Sequence, residues 1–104
     1  MLLLTDTIYI AGKITGLTDY KKKFDEMEKQ LNEHGFRKIL KPTCLPGNLE
    51  YEQYMTICFS MIDASDAVCF LDDWKDSPGA RLELHYARSK KKKIVFPGNI
   101  KRND

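Results

Sequence analysis

The sequence predicts an α/β domain of the three-layer Rossmann or flavodoxin-like class, a parallel sheet of four or five strands with helices on both faces. Three observations predict it. Ile8-Tyr9-Ile10-Ala11 is a short apolar run stopped by Gly12, Ala67-Val68-Cys69-Phe70-Leu71 is apolar at every position, and stretches of helical periodicity alternate with these runs. A strand buried on both faces reads as a continuous apolar run, and strands alternating with helices imply parallel pairing with right-handed crossovers.

Ile8 to Ala11 is the first strand, and it delivers its carboxyl end to the loop Gly12-Lys13-Ile14-Thr15-Gly16. Thr18 offers an N-cap for the first helix, on which Tyr20, Phe24, Met27 and Leu31 recur at i, i+4, i+7 and i+11, and Gly35 ends it. Phe36 to Leu40, between that stop and Pro42, is a short second strand suited to an edge. Pro42, Pro46 and Gly47 require a loop. A second helix runs from about Glu50 to Ala64, with Tyr54, Cys58, Met61 and Ser65 on one face and Met55 and Ile62 beside them. Ala67 to Leu71 is the core strand. Ser77 then caps a third helix with Pro78 at its first position, running to about Ser89. Lys92 to Phe96 is the fourth strand, ended by Pro97-Gly98, and Asn99 to Asp104 reads as a frayed tail.

With 104 residues the chain supports one hydrophobic core, so residues 1–104 read as a single domain with its core at about 7–97. Its 42% hydrophobic and 31% charged residues are ordinary for a globular protein and exclude disordered, collagen-like and coiled-coil classes. Seventeen basic and fifteen acidic residues leave a net charge of only +2, too balanced for a general nucleic-acid binder. The basic run Arg88-Ser89-Lys90-Lys91-Lys92-Lys93 reads as cations complementing a helix carboxyl end, and no nucleic-acid partner is expected. Cys44, Cys58 and Cys69 match neither a disulfide framework nor metal-ligand spacing and read as thiols in a reducing compartment. His34 and His85 lack supporting ligands, so neither a metal nor another cofactor is implied. Met1 to Leu4 is too short for a signal segment and no membrane span is indicated, so a cytoplasmic location is expected.

In open parallel sheets the ligand crevice lies outside the carboxyl ends of the strands, where neighbouring connections diverge. The loops after the first and third strands would meet there, bringing Gly12 to Gly16 beside Asp72 to Gly79. The free N–H groups and positive dipole end of the third helix would point at the ligand, so an anionic group is the natural guest. Lys13 is open between a loop charge and a phosphate ligand. Trp74 could stack on a base or cover the core edge, Tyr9 divides between core and cavity wall, and Asp66 reads as a turn residue.

Tyr9-Ile10-Ala11-Gly12-Lys13-Ile14-Thr15-Gly16 resembles the first-strand motif of the nucleoside 2-deoxyribosyltransferase and 2′-deoxynucleoside 5′-phosphate N-hydrolase families. Ser65-Asp66-Ala67-Val68, then Ser77-Pro78-Gly79-Ala80-Arg81-Leu82-Glu83 and Ala87, resemble their second signature. The likeness spans about residues 8 to 96 and is strongest to a short branch frequent in phage and prophage genomes. It implies Glu83 as the catalytic nucleophile, attacking the anomeric carbon of a 2-deoxyribose as the base leaves through an oxocarbenium-like transition state. It implies substrate contacts from Tyr9, Gly12, Lys13, Thr15, Trp74, Ser77 and Gly79, with Ser77 matching a serine that binds a 5′-phosphate. It also implies a homo-oligomer, since family members complete their sites with a neighbouring subunit. Two positions depart from the pattern. Cys58 stands where an aspartate orients the sugar hydroxyl, and His85 stands where glycine is usual and would narrow the pocket.

Two functions are therefore expected to compete. One is N-glycosidic cleavage or 2-deoxyribosyl transfer on a deoxynucleoside or its 5′-monophosphate; the other is a non-catalytic nucleotide-binding or sequestering module that keeps the pocket. A phosphorylatable receiver domain is excluded, because Gly12-Lys13 stands where an acidic pair would follow the first strand.

Overall fold

A computed structural model describes residues 2–14 and 18–96. The chain forms β1 (Thr7–Ala11), α1 (Tyr20–Glu33), β2 (Lys38–Leu40), α2 (Tyr51–Asp63), β3 (Ala67–Phe70), α3 (Pro78–Ser89) and β4 (Lys93–Val95), with single 3₁₀ turns at Pro42–Cys44 and Trp74–Asp76. Among the described residues the sheet has four strands, all parallel, in the order β2-β1-β3-β4. This is the expected Rossmann-like α/β architecture, with β2 at an edge and the connections diverging between β1 and β3.

Because side chains alternate across a strand, β1 feeds two cores. Ile8 and Ile10 pack against Phe24 and Leu31 of α1 on one face. Tyr9 and Ala11 pack against Cys58 and Ile62 of α2 and Leu84 and Ala87 of α3 on the other. All four β3 residues are buried, as the apolar run requires, and burying each large apolar side chain is worth roughly 1.5–3 kcal/mol.

Helix boundaries follow local hydrogen bonding. The N-cap of α1 is Asp19, one residue later than the expected Thr18. Its carbonyl accepts from Lys22 N at 3.1 Å, and no side chain caps the helix. Gly35, at φ 97°, closes α1 in a Schellman motif: Gly35 N donates to Asn32 O and Phe36 N to Leu31 O, both at 3.0 Å. That closure draws Phe36 into the α1-side core, so β2 starts at Lys38 and not at Phe36. Glu50 N donates to Gln53 Oε1 at the start of α2. Ser77 Oγ accepts from Ala80 N at 3.1 Å, the expected N-cap of α3, and Pro78 takes the first helical position. β3 ends at Phe70 and β4 covers only Lys93–Val95, each trimmed relative to the apolar run. Pro97-Gly98 and the tail at 99–104 lie outside the described residues.

The basic run finds local uses. Lys93 Nζ reaches Asp6 Oδ2 at 2.8 Å, Lys92 Nζ reaches Asp63 O at 3.2 Å, and Lys90 lies over the Tyr86 ring. Asp66 Oδ2 accepts from Thr7 N at 2.8 Å, tying the starts of β1 and β3 together. Among the described residues no helix is long and apolar enough to cross a membrane.

Candidate functional site

A cavity of about 590 Å³ opens at the carboxyl ends of β1 and β3, on the face covered by α2 and α3. The loop after β1 contributes Gly12, Lys13 and Ile14. The loop before α2 contributes Gly47 and Leu49, and α2 itself Tyr51, Tyr54, Met55 and Cys58. The first two turns of α3 contribute Ser77, Gly79, Ala80 and Glu83. The walls are mainly aromatic and apolar, with polar groups at the floor and at the start of α3, the composition expected of a small-molecule site.

The floor is built by periodicity. On α3, Ala80, Glu83, Leu84 and Ala87 form the inward stripe, so a glutamate occupies a position that helical spacing reserves for the core. Glu83 is 5% exposed and Tyr9, on the same face of β1, is fully buried. Neither Tyr9 Oη nor Glu83 Oε2 has a hydrogen-bond partner. Burial pushes the Glu83 carboxyl up to about 7, opposed by the nearby Tyr9 hydroxyl. Burial also raises Tyr9 far above its usual range, with the Glu83 charge adding to it. Cys58 is pushed up to about 11, again mainly by burial, and stands beside both as a neutral thiol. A buried carboxyl poised near neutrality and lacking a fixed partner is the pattern of a functional group, because a purely structural one would be satisfied.

Close approach of two loops shapes the cavity mouth. A Cβ on Gly12 would lie 2.7 Å from Leu71 Cδ1, so only glycine lets the β1 loop lie against the end of β3. The loops are then tied by Asp73, whose Oδ1 accepts from Lys13 N at 3.0 Å while its Oδ2 meets Lys23 Nζ at 3.1 Å. Lys13 is half-buried and faces the cavity.

The fold thus brings Tyr9, Gly12, Lys13, Ser77, Gly79 and Glu83 to one cavity. Thr15 lies outside the described residues. Trp74 is a correction: it lines no part of the cavity and instead packs on Phe70 and Phe96 at centroid separations of 5.6 and 5.3 Å, because its 3₁₀ turn directs the indole over the sheet edge. His85 is exposed on α3 and, contrary to expectation, does not narrow the cavity. The sequence assigns no individual site role to Asp73, Leu49, Tyr51 or Asp76, although Asp73 and Asp76 lie in the segment it brings to the crevice, and it places the cavity-facing Tyr20 on the apolar stripe of α1. For Tyr51 a signal existed, since it continues the Met55–Cys58 stripe by one turn of α2; for Asp73 there was none, as its partners lie 50 and 60 residues away. Among the described residues no three His, Cys, Asp or Glu side chains converge as a metal site would require.

A family model described as a domain of unknown function, DUF4406, matches residues 6–96. The chain belongs to this family. The match includes every cavity-lining residue, so the cavity belongs to the DUF4406 domain itself. No curated protein matches the chain.

Proposed function

We propose that this DUF4406 domain cleaves the N-glycosidic bond, or transfers the 2-deoxyribosyl group, of a deoxynucleoside or its 5′-monophosphate, with Glu83 as nucleophile. The observation that carries the proposal is the Glu83 carboxyl, 5% exposed and with Oε2 lacking a hydrogen-bond partner, on the floor of a cavity shared with the Gly12 loop and the first turn of α3. The two matching sequence motifs supply the likeness to nucleoside 2-deoxyribosyltransferases.

In the reaction the ionised Glu83 attacks C1′ of the sugar. The bond from C1′ to the base nitrogen breaks, its electron pair leaves with the base, and the base takes a proton from solvent. Water then adds to C1′ as the ester bond to Glu83 breaks, releasing the sugar and restoring the carboxylate; an incoming base at this step makes the enzyme a transferase. Burial leaves the carboxylate poorly solvated and therefore more basic, and the Tyr9 hydroxyl lies nearby. The aromatic wall of Tyr20, Tyr51 and Tyr54 suits a nucleobase, while Lys13, Ser77 and the first-turn N–H groups of α3 suit a phosphate. Ser77 Oγ already accepts from Ala80 N, which leaves its O–H free to donate to a ligand oxygen.

Incubation with a panel of deoxynucleosides and their monophosphates should release free base, and Glu83→Ala should reduce release by at least about a thousandfold, the usual scale for losing a nucleophile. Base release unchanged in Glu83→Ala removes the glycosyl-transfer reading. The second reading, a nucleotide-binding module without turnover, draws on Cys58. A thiol held neutral by burial cannot replace an orienting carboxylate, and misplacement alone is costly in rate. Binding without base release selects it. The exposed Tyr51 and Leu82, at 54% and 48%, give α2 and α3 apolar surface that a second copy could cover, consistent with a cytoplasmic homo-oligomer, which light scattering tests.

A further inference from the structure

The ladder between β1 and β3 ends on the bond from Leu71 N to Ala11 O, at 2.8 Å. Beyond it the two chains turn into their loops, and the next N–H of the first loop to find an acceptor across the gap does so on a side chain. Asp73, two residues past Leu71, accepts through Oδ1 from the N–H of Lys13, two residues past Ala11, at 3.0 Å. A carboxylate thus carries the strand pairing one step further. Asp73 itself lines no part of the cavity, but Lys13 and the adjoining Ile14 are part of its wall.

The two oxygens of Asp73 do unequal things. Oδ2 meets Lys23 Nζ at 3.1 Å, but the Lys23 side chain is 45% exposed, and an ion pair open to solvent contributes little. Oδ1 serves a backbone N–H in a half-buried setting, with the Asp73 side chain 15% exposed, and an N–H left without an acceptor there is costly. Losing the Oδ1 bond would free the start of the loop after β1. Tyr9 and Glu83 would keep their places, because β1 retains its ladder to β3 and α3 retains its Ser77 cap. The consequence falls on the wall of the cavity and not on its floor.

We propose that Asp73 is a positioning residue: by accepting from the Lys13 N–H through Oδ1, it holds the Lys13–Ile14 wall in its ligand-binding place, and so governs how tightly the ligand binds and not the bond-breaking step at Glu83. This deepens the glycosyl-transfer reading above and rests on it.

Three variants of the full chain separate the two oxygens. Asp73→Ala removes both bonds, Asp73→Asn keeps a carbonyl oxygen for Lys13 N while giving up the charge, and Lys23→Met removes only the ion pair. Base-release kinetics on deoxynucleosides and their 5′-monophosphates, calorimetric binding of the same panel and amide hydrogen exchange at Lys13 are measured for each, with thermal melts reporting folding. In Asp73→Ala, exchange at Lys13 should quicken by about tenfold or more, KM and Kd should rise about tenfold, and kcat should hold within about twofold. Asp73→Asn and Lys23→Met should both stay within about threefold of wild type. Wild-type affinity in Asp73→Ala, a loss that Asp73→Asn does not restore, or a kcat that falls as far as kcat/KM overturns the proposal and leaves the glycosyl-transfer reading standing. Should Asp73→Ala fail to fold, the other two variants decide: affinity kept in both, with Lys13 still protected, supports the proposal, and a larger loss in either overturns it. If wild type binds the panel without releasing base, Kd and the exchange rates decide in the same way. A wild-type protein that binds no member of the panel overturns the functional reading, and the role of Asp73 falls with it.

Discussion

Two carboxylates in this domain are equally little exposed, one at a shallow edge and one deep in the cavity floor, and the protein treats them in opposite ways. Asp6, at the amino-terminal end of β1, and Glu83, at the carboxyl-terminal end of the sheet, are each 5% exposed. Asp6 Oδ2 accepts from Leu3 N at 2.8 Å and pairs with Lys93 Nζ at 2.8 Å. Those contacts, the Leu3 N–H first and Lys93 second, hold its carboxyl below the usual range. Glu83 has the Tyr9 hydroxyl and the neutral Cys58 thiol nearby but, among the described residues, no cation, and burial drives it up to about 7. Equal exposure therefore accompanies opposite titration, because Asp6 sits in a shallow site with two donors while Glu83 is deeply enclosed with few. The amino-terminal edge uses its carboxylate to fasten the sheet. The carboxyl-terminal edge leaves one unsatisfied, which makes sense where a ligand completes the set.

The largest test of this contrast is the pH dependence of stability. A carboxyl raised in the folded state binds its proton more tightly there than in the unfolded chain. Its contribution is therefore most favourable below the ordinary value of 4.5, declines as pH rises from 4.5 to about 7, and is constant above that. The loss over that window is on the order of 3 kcal/mol, and denaturant unfolding of Glu83→Gln should show that decline removed. An unchanged profile in Glu83→Gln would mean that the folded state supplies Glu83 with donors, and the contrast with Asp6 would fail.

How far the sequence revealed this arrangement depends on where the relevant signal lies. The four strands, the three helices and the cap at Ser77 were legible because each rests on local periodicity or on one capping residue. The motif pair placed Glu83 and the Gly12 loop at one crevice, whereas a glutamate on a helix reads by itself as solvated. Phe36 was misassigned to β2 because the Schellman closure that captures it depends on a bond back to Leu31 rather than on β propensity. Trp74 stood open between a base and the core edge because a loop tryptophan has no periodicity to orient it, and contact with Phe70 and Phe96 decides for the edge. Asp73 was invisible for the same reason: its two partners belong to other elements, and no local pattern encodes a bond across 60 residues.

Asp6 supplies the next test, with the opposite sign. Its folded value is depressed, so its contribution is present above the ordinary value of 3.8 and is lost as pH falls through the depressed value. Asp6→Asn should lower the melting temperature at pH 7 and flatten the acid limb below about pH 4. With Glu83 acting above 4.5 and Asp6 below 3.8, the wild-type optimum should fall between them, more acidic than the range in which most proteins are most stable. An optimum near pH 7 would show that other groups outweigh this pair.

The smallest expected effect, and the most discriminating, comes from Tyr9→Phe. Tyr9 is fully buried and its hydroxyl has no partner, so the oxygen carries a desolvation cost with no compensating bond. Phenylalanine keeps the ring and the packing against the α2 and α3 side chains. At pH 5, where Glu83 is neutral, stability should be unchanged or higher by up to about 1 kcal/mol. Above pH 7 the ionised Glu83 loses the one neighbour that lowers its pKa, so the variant should lose stability relative to its own value at pH 5 more steeply than wild type does. The two pH values separate two roles for the same atom. A loss at pH 5 of more than about 1 kcal/mol would mean that the hydroxyl is bonded within the folded protein, and the floor of the cavity would then be as fully satisfied as the Asp6 site.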